Sequence, residues 1–316
     1  MNITICPADP QTDYEAAAEI INSFERQPIT ADTLREWDRA AGEGSLRRRM
    51  VAVEDDQIVG YSVVSHNTWD KDETYITWVV VDPSKRERGI GTLLLDEAMA
   101  FAQGCGAKTL SAEVLNVSPR HVEFAQKRGF AIQHELFESV IKLKKFRPSR
   151  FAGIIEAVEA GGIRLFSLAD AGDTREARHK LWEVNYATHL DDPASTGSFP
   201  DSDAMNQIFN TNSWFRPDGQ ILAADGDKYV GLSAVGYYKA SNSAYNLMTG
   251  VMPDYRGRKI ALALKLLSIR AAKSWGVDTI RTNNDSQNAP MLAINHKLGY
   301  VPEPGIFRMT KTIVKS

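Results

Sequence analysis

Val81-Asp82-Pro83-Ser84-Lys85-Arg86-Glu87-Arg88-Gly89-Ile90-Gly91 opens an apolar-periodic run through residue 102. Val251-Met252-Pro253-Asp254-Tyr255-Arg256-Gly257-Arg258-Lys259-Ile260-Ala261 opens another through residue 272. Each reads as a strand, a short basic turn and a helix. Such a turn gathers backbone N–H groups and the positive end of a helix dipole at one point, an anion site best suited to phosphate. The two stretches are copies. Arg86 and Arg256 stand 256 − 86 = 170 residues apart, and Val81/Val251, Gly106/Gly276 and Gly129/Gly299 keep that spacing. One ungapped offset over such a length identifies an internal duplication. The amino-terminal strands, at Ile3 and Ile163, are closer in offset. The second copy therefore carries extra residues before its hairpin. The turn-rich segment 191–200 is where they are expected, since loops absorb insertions and carry specificity.

Working outward, the first copy reads as a strand at 3–6, helices beginning at Asp13 and at Thr30 or Asp32, and a hairpin over 50–64. A strand at 75–81, the motif helix 89–102, a strand at 109–115 and a helix at 119–128 follow. Two strands close it, the second at 138–143. Residues 146–160 are expected to form a connector helix. The second copy repeats the order: strand 163–166, helices 174–187 and 203–209, hairpin 221–237, strand 245–251, helix 259–275, strand 279–282, helix 289–298 and strand 307–313. The division expected is a first domain over 1–146, a connector over 147–161 and a second domain over 162–316.

A chain of 316 residues has room for two cores. A formal charge of −3 speaks against a general nucleic-acid binder. The basic runs Arg47-Arg48-Arg49 and 142–150 read as solvated surface. Cys6 and Cys105 have no metal-ligand spacing and make no disulfide framework. Residues 1–9 carry no signal-peptide pattern, and no run has membrane-spanning length. A cytoplasmic location with no membrane partner is expected. His66, His121, His134, His179 and His296 form no metal-spaced cluster, so no metal is expected.

Arg86-x-x-Gly89-x-Gly91 resembles the Arg/Gln-x-x-Gly-x-Gly/Ala motif of the GCN5-related N-acetyltransferase (GNAT) superfamily. No G-x-G-x-x-G or G-K-[ST] competes with it. The element order resembles that superfamily as well, over nearly the whole chain, twice. Asn116, Pro119 and Arg128-Gly129-Phe130 look like its second marker. That marker is fuller in Asn283-Asn284, Asn288-Ala289-Pro290-Met291 and Ile294-Asn295-His296-Lys297-Leu298-Gly299-Tyr300. Two fused copies are similar to tandem acetyltransferases of the mycothiol-synthase type. The fold implied is α/β (α+β), two tandem domains, each a mixed, mostly antiparallel central sheet of about six to seven strands flanked by helices.

The resemblance implies acetyl-CoA (coenzyme A) as donor. Its pantetheine would pair with the backbone of Val79, Val80 and Val81, or of Thr249, Gly250 and Val251, where the strand splays from its neighbour. Its pyrophosphate would sit on Arg88, Gly89, Ile90, Gly91 and Thr92, or on Gly257, Arg258, Lys259, Ile260, Ala261 and Leu262. Arg86 and Arg256 would add charge, and Asn116 and Asn283 would complete the sites. Lys259 stands where the first glycine is expected; its backbone N–H survives, and either its added cation assists the phosphates or its side chain crowds the turn.

A small-molecule primary amine would attack the thioester directly, so positioning and backbone N–H groups would supply much of the rate. Many family members use a Glu four residues before the splay; the aligned residues are Tyr75 and Tyr245. They use a Tyr in the following helix; the aligned residues are Ala125 and Asn295. The usual acid–base pair therefore does not transfer, and Asn295, Tyr245 and Asn288 are the candidates. Glu73 and Glu113 read as surface carboxylates near the first cleft. His189-Leu190-Asp191-Asp192 reads either as an attractor for a cationic amine or as a capped helix end. The second copy is favoured as catalyst. The alternatives are that the first copy is the catalytic or sole coenzyme-binding one, or that the chain is a non-catalytic acyl-CoA-binding regulator. A monomer with an internal pseudo-dimer, or a homodimer, is expected.

Overall fold

The computed structural model describes residues 3–24, 29–40, 45–66, 73–192, 195 and 199–313. In chain order the elements are β1 (Ile3–Pro7), α1 (Tyr14–Asn22), α2 (Ala31–Ala40), β2 (Leu46–Glu54), β3 (Gln57–His66), β4 (Thr74–Val81), α3 (Ile90–Gly104), β5 (Thr109–Leu115) and α4 (Pro119–Gln126). Then come β6 (Ala131–Lys142), α5 (Ile154–Ala160), β7 (Arg164–Ser167), α6 (Arg175–His189), α7 (Ser202–Thr211), β8 (Gln220–Asp225) and β9 (Lys228–Tyr238). The chain ends with β10 (Ser243–Val251), α8 (Ile260–Ser274), β11 (Thr279–Asp285), α9 (Ala289–Leu298), β12 (Val301–Pro302) and β13 (Ile306–Thr312).

These elements pack as two compact units. The first holds the residues up to Gln133 and those from Ile306 onward; the second runs from His134 to Gly305. The first unit's sheet has the order β1-β2-β3-β4-β5-β13, and the second's the order β7-β8-β9-β10-β11-β6, with β12 added on β6. Each is antiparallel except at one pair, β4/β5 or β10/β11, where a crossover helix joins parallel neighbours. Six or seven mostly antiparallel strands per sheet, flanked by helices, is the fold expected from the sequence.

The sequential division at 146 and 162 differs from the packing. β6 follows the first copy's last helix, yet it lies on β11 in the register Glu138↔Asn283. β13 follows the second copy's last helix and lies on β5. Each unit therefore receives its closing strand from the other copy's sequence. Two local differences also appear. Residues 131–142 form one strand instead of two, because no glycine or proline interrupts them. The connector is not one helix. Pro148 opens a separate 3-10 turn and Gly153 sits at φ 79°, leaving only the short α5.

Helices cover both faces of each sheet. In the first unit α1 and α2 bury Tyr14, Ala17, Ile21 and Leu34 against Val51 and Tyr61. Leu94 of α3 packs under β2 and β3, and Leu95 packs with Leu110, Phe130 and Met309. In the second unit α6 and α7 bury Leu181, Val184 and Phe209 on one face, and α8 buries Ile260, Leu264 and Ile269 on the other. Each such aliphatic side chain contributes about 1.5–3 kcal/mol by leaving water.

Candidate active site

Both basic turns have the same backbone shape, built from different residues. Each needs two left-handed residues before its helix: Glu87 (φ 65°) and Gly89 (φ 84°) before α3, Gly257 (φ 76°) and Lys259 (φ 64°) before α8. Glycine takes one of the two positions in each copy, and not the same one. A non-glycine residue in this region costs about 1–2 kcal/mol, so each turn carries one strained side chain. Lys259 caps α8 in the conformation that Gly89 has at α3, so it preserves the turn.

The turn of the first unit borders a cleft of about 500 Å³. Residues 77–81 of β4 form one wall and 112–115 of β5 the other, with Arg86, Gly89, Ile90, Gly91 and Thr92 at the mouth. Arg86 leans on the Phe24 ring at 4.6 Å and makes no ion pair among the described residues. Arg128 of the loop after α4 stacks on Phe124 at 3.7 Å and donates to Thr92 Oγ1 in the first turn of α3. Its Nε is buried and has no hydrogen-bond partner among the described residues. His121 lines the same cleft, and burial together with Arg86 pushes its pKa down. The Arg88 and Lys85 side chains turn away to Glu54 of β2. Glu113 lines the cleft and accepts from Arg308 at 2.9 Å, while Glu73 pairs with Lys108 at 2.7 Å.

The second unit has the corresponding cleft, about 580 Å³, between residues 248–251 of β10 and residues 287–297 around α9. Its electrostatics differ. Arg256 donates to Val251 O at 3.0 Å and forms an ion pair with Asp191 at 2.6 Å. Asp191 and Asp192 both line this cleft. Asp191, which the sequence reads as part of either an amine attractor or a capped helix end, thus bears on the anion turn itself. His189 instead bonds Ser195 at 2.9 Å. Of the segment 191–200, residues 193, 194 and 196–198 lie outside the described residues.

The strands splay where the resemblance implies. β4 pairs with β5 only through Thr77↔Ala112, and β10 with β11 only through Asn246↔Thr282. Beyond those pairs the edges part: 78–81 and 113–115 line the first cleft, and 248–251 of β10 line the second. The two splays are not identical. Thr109 pairs Thr74 and Thr279 pairs Ser243, so the copies differ by 170 on one strand and 169 on the other (279 − 109 against 243 − 74). The added residue is Leu247, where the β9/β10 register shifts; β3/β4 has no shift. One extra residue exchanges the faces of the strand. Tyr245 therefore corresponds to Ile76, not to Tyr75. Tyr75 is buried in the α3-side core, stacked on His66 at 5.0 Å. Tyr245 points to the other face, where its hydroxyl donates to Glu138 Oε1 at 3.0 Å. Arg281 donates to Glu138 at 2.9 Å and to Glu303 at 2.8 Å. Burial and the Glu138 charge raise the Tyr245 pKa, keeping the phenol protonated.

A family model described as the acetyltransferase (GNAT) family matches residues 13–130 and again 181–300. The chain belongs to the GNAT family of acetyltransferases. Among curated relatives, it is 25% identical over 293 residues to a mycothiol acetyltransferase of Nocardiopsis dassonvillei, covering 86% of this chain and 84% of that one. Among solved structures, a GCN5-related N-acetyltransferase from Sphaerobacter thermophilus superposes with a TM-score of 0.67 at 18% identity, over 99% of this chain and 96% of the other. A tandem GNAT protein from the clavulanic acid biosynthesis pathway gives a TM-score of 0.66 at 18% identity over the whole of both chains. The protein is thus a tandem GNAT N-acetyltransferase, similar to the mycothiol-synthase type. No helix among the described residues is long and apolar enough to cross a membrane.

GNAT proteins bind acetyl-CoA, and the first unit's residues fit that group. An open cleft lined by Arg86 and Arg128 and the N-terminus of α3 meet at one place, and Arg86 has no acidic partner among the described residues. In the second unit the fit requires Asp191 to leave Arg256. Of the acceptor-side residues, Asn288 lines the second cleft and caps α9, accepting from Met291 N at 3.2 Å. Asn283 is exposed on β11. Asn295 is buried behind the cleft, donating to Asn284 Oδ1 at 2.8 Å, with its own Oδ1 lacking a partner among the described residues. Three groups escaped the sequence reading. Arg128 was seen only as part of a marker. Glu138 comes from the exchanged strand. Lys265 was readable as a lysine on the apolar stripe Leu262–Ile269, but its burial needed the fold.

Proposed function

We propose that the protein moves the acetyl group of acetyl-CoA to the primary amine of a small molecule, and that the second unit is where the transfer occurs. When bound, acetyl-CoA would supply an activated thioester: its C–S bond breaks as the new C–N bond forms, and coenzyme A leaves as a thiol carrying the proton that the new amide nitrogen loses. The observation that carries the assignment is the Tyr245–Glu138 pair, one register step before the splay. At the corresponding place the first unit has Ile76. Glu138 accepts the ammonium proton of the acceptor, and Tyr245 and Arg281 hold its carboxylate in position. Two carboxylates share Arg281, so this face keeps net negative charge, which favours a cationic acceptor. In the first unit Arg86, which makes no ion pair among the described residues, supports coenzyme binding there. The names of the relatives support a small-molecule acceptor over a protein.

The test is thiol release from acetyl-CoA with a panel of small amines, using Gly91→Glu and Ala261→Glu separately. Each places a carboxylate at one helix N-terminus, and a Cβ at Gly91 already comes within 3.3 Å of Phe124. Ala261→Glu is expected to abolish release, and Gly91→Glu to spare it. The reverse pattern would move the chemistry to the first unit.

A further inference from the structure

Lys265, on the second turn of α8, is 2% exposed and bonds no carboxylate among the described residues. Its ammonium donates to Asn246 Oδ1 and lies 5.1 Å from the centre of the Tyr300 ring, the titratable side chain that faces it. Burial alone pushes its pKa down to about 7. An aliphatic residue would serve the core better, since removing a buried charge in favour of an apolar side chain is often neutral or stabilising. The first unit shows that alternative. Leu95 stands in place of Lys265, Phe130 of Tyr300, Val79 of Thr249 and Thr77 of Asn246, at the same places in the fold.

What the first unit lacks is the extra residue Leu247. Asn246 immediately precedes it and stitches the bulge. Its Nδ2 donates to Met248 O at 3.1 Å, beyond the bulge, and to Ala234 O at 3.0 Å on β9. Its Oδ1 accepts from Thr249 Oγ1 at 3.1 Å as well as from Lys265. Met248 and Thr249 line the cleft. A bulge leaves ladder groups unmatched and frees the strand to twist. Here one amide spans the gap, and the lysine fixes that amide.

We propose that Lys265 is a positioning residue for acyl transfer in the second unit: through Asn246 it pins the Leu247 bulge and so fixes the β10 edge on which the thioester lies. The proposal rests on reading the second unit as the reacting one. It explains why the polar substitutions come as a set in one layer, and why that layer sits at the bulge. Lys265 touches no substrate; it acts through Asn246 and the strand.

The experiment is Lys265→Met in the full chain, read by amide hydrogen exchange and by steady-state thiol release. Methionine keeps the volume and removes the donor. The melting temperature is expected to hold or rise, exchange at residues 247–249 to accelerate at least tenfold, and kcat to fall at least tenfold with little change in the acceptor KM. Unchanged exchange at 247–249 overturns the clamp, whatever the activity. If Ala261→Glu abolishes turnover but Lys265→Met leaves kcat intact, the positioning role is overturned. If Ala261→Glu spares turnover, the reading of the second unit falls, and the exchange result still decides whether Lys265 holds the bulge.

Discussion

Replacing Asp191 with asparagine should strengthen coenzyme binding in the second unit. Asp191 and Arg256 are about half exposed, at 42% and 51%, and their 2.6 Å pair is a surface ion pair. Such a pair is worth up to about 1 kcal/mol, which the incoming diphosphate must recover. The carboxylate also stays near the phosphates after it is displaced. At roughly 5 Å in water-like dielectric, each phosphate charge costs about 0.8 kcal/mol. Together these give as much as about 2.6 kcal/mol, up to a roughly 70-fold lower Kd at low ionic strength. At physiological salt the Debye length falls to about 8 Å, and the gain should shrink severalfold.

The measurement is titration calorimetry of coenzyme A into Asp191→Asn on a Gly91→Glu background, at low and at physiological salt. Blocking the first unit makes the second the site observed. A lower Kd whose advantage narrows with salt is the expected result. An unchanged Kd would mean that Asp191 does not compete for Arg256. A higher Kd would refute the reasoning outright, because Asp191 would then be holding Arg256 in place for the phosphates.

Three further outcomes follow from the geometry. Lys265 has a folded pKa of about 7 against an ordinary 10.5, so between those values the unfolded chain holds a proton that the folded one lacks, and stability rises with pH across that window. The burial penalty is therefore full below pH 7, on the order of 5 kcal/mol by linkage, and Lys265→Met should raise the urea midpoint more at pH 6 than at pH 10; equal gains at both would contradict it. Glu138→Gln should lower kcat by roughly 10²–10⁴ while leaving coenzyme affinity within about twofold, and a pH–rate profile with its acid limb intact would remove Glu138 from proton transfer. Gly257→Ala puts a second side chain into a left-handed position of one turn and should cost about 1–2 kcal/mol, read as a lowered urea midpoint; no loss would mean that the turn relaxes.

The parts of this molecule written locally were legible in the sequence. The turn, its helix and the duplication depend on residues adjacent in the chain, and a 170-residue spacing survives any tertiary arrangement. The substitution of Gly89 by Lys259 was visible, but its consequence was not. The sequence leaves both an assisting cation and a crowded turn open, whereas the backbone takes the left-handed conformation and glycine stands two residues back at Gly257. Leu247 shows the limit more sharply. A constant offset aligned Tyr75 with Tyr245, and a single inserted residue places them on opposite faces. Strand register is fixed by the hydrogen-bonded partner, and no spacing along the chain reports it. Glu138 was hidden for a stronger reason, because its strand belongs by sequence to the first copy and by packing to the second unit.

That exchange bears on how the two copies could diverge. The first unit keeps the better-charged turn, with Arg86 and Arg128, over a splay whose floor is Leu95, Phe130 and Thr77. The second carries Lys265, Tyr300 and Asn246 at those places, with a bulge that the lysine holds, and a turn whose arginine is already neutralised. Each set lies within its own copy, but Glu138 does not travel with the second copy's residues. A chain limited to residues 162–316 keeps the second turn, α8 and Lys265, but loses Glu138 and the strand that pairs β11 from Thr279 to Asp285. An edge stripped in this way presents a full row of unmatched N–H and C=O groups, which promotes association instead of folding. The carboxylate that Tyr245 needs, and the strand that closes its sheet, therefore enter the second unit together.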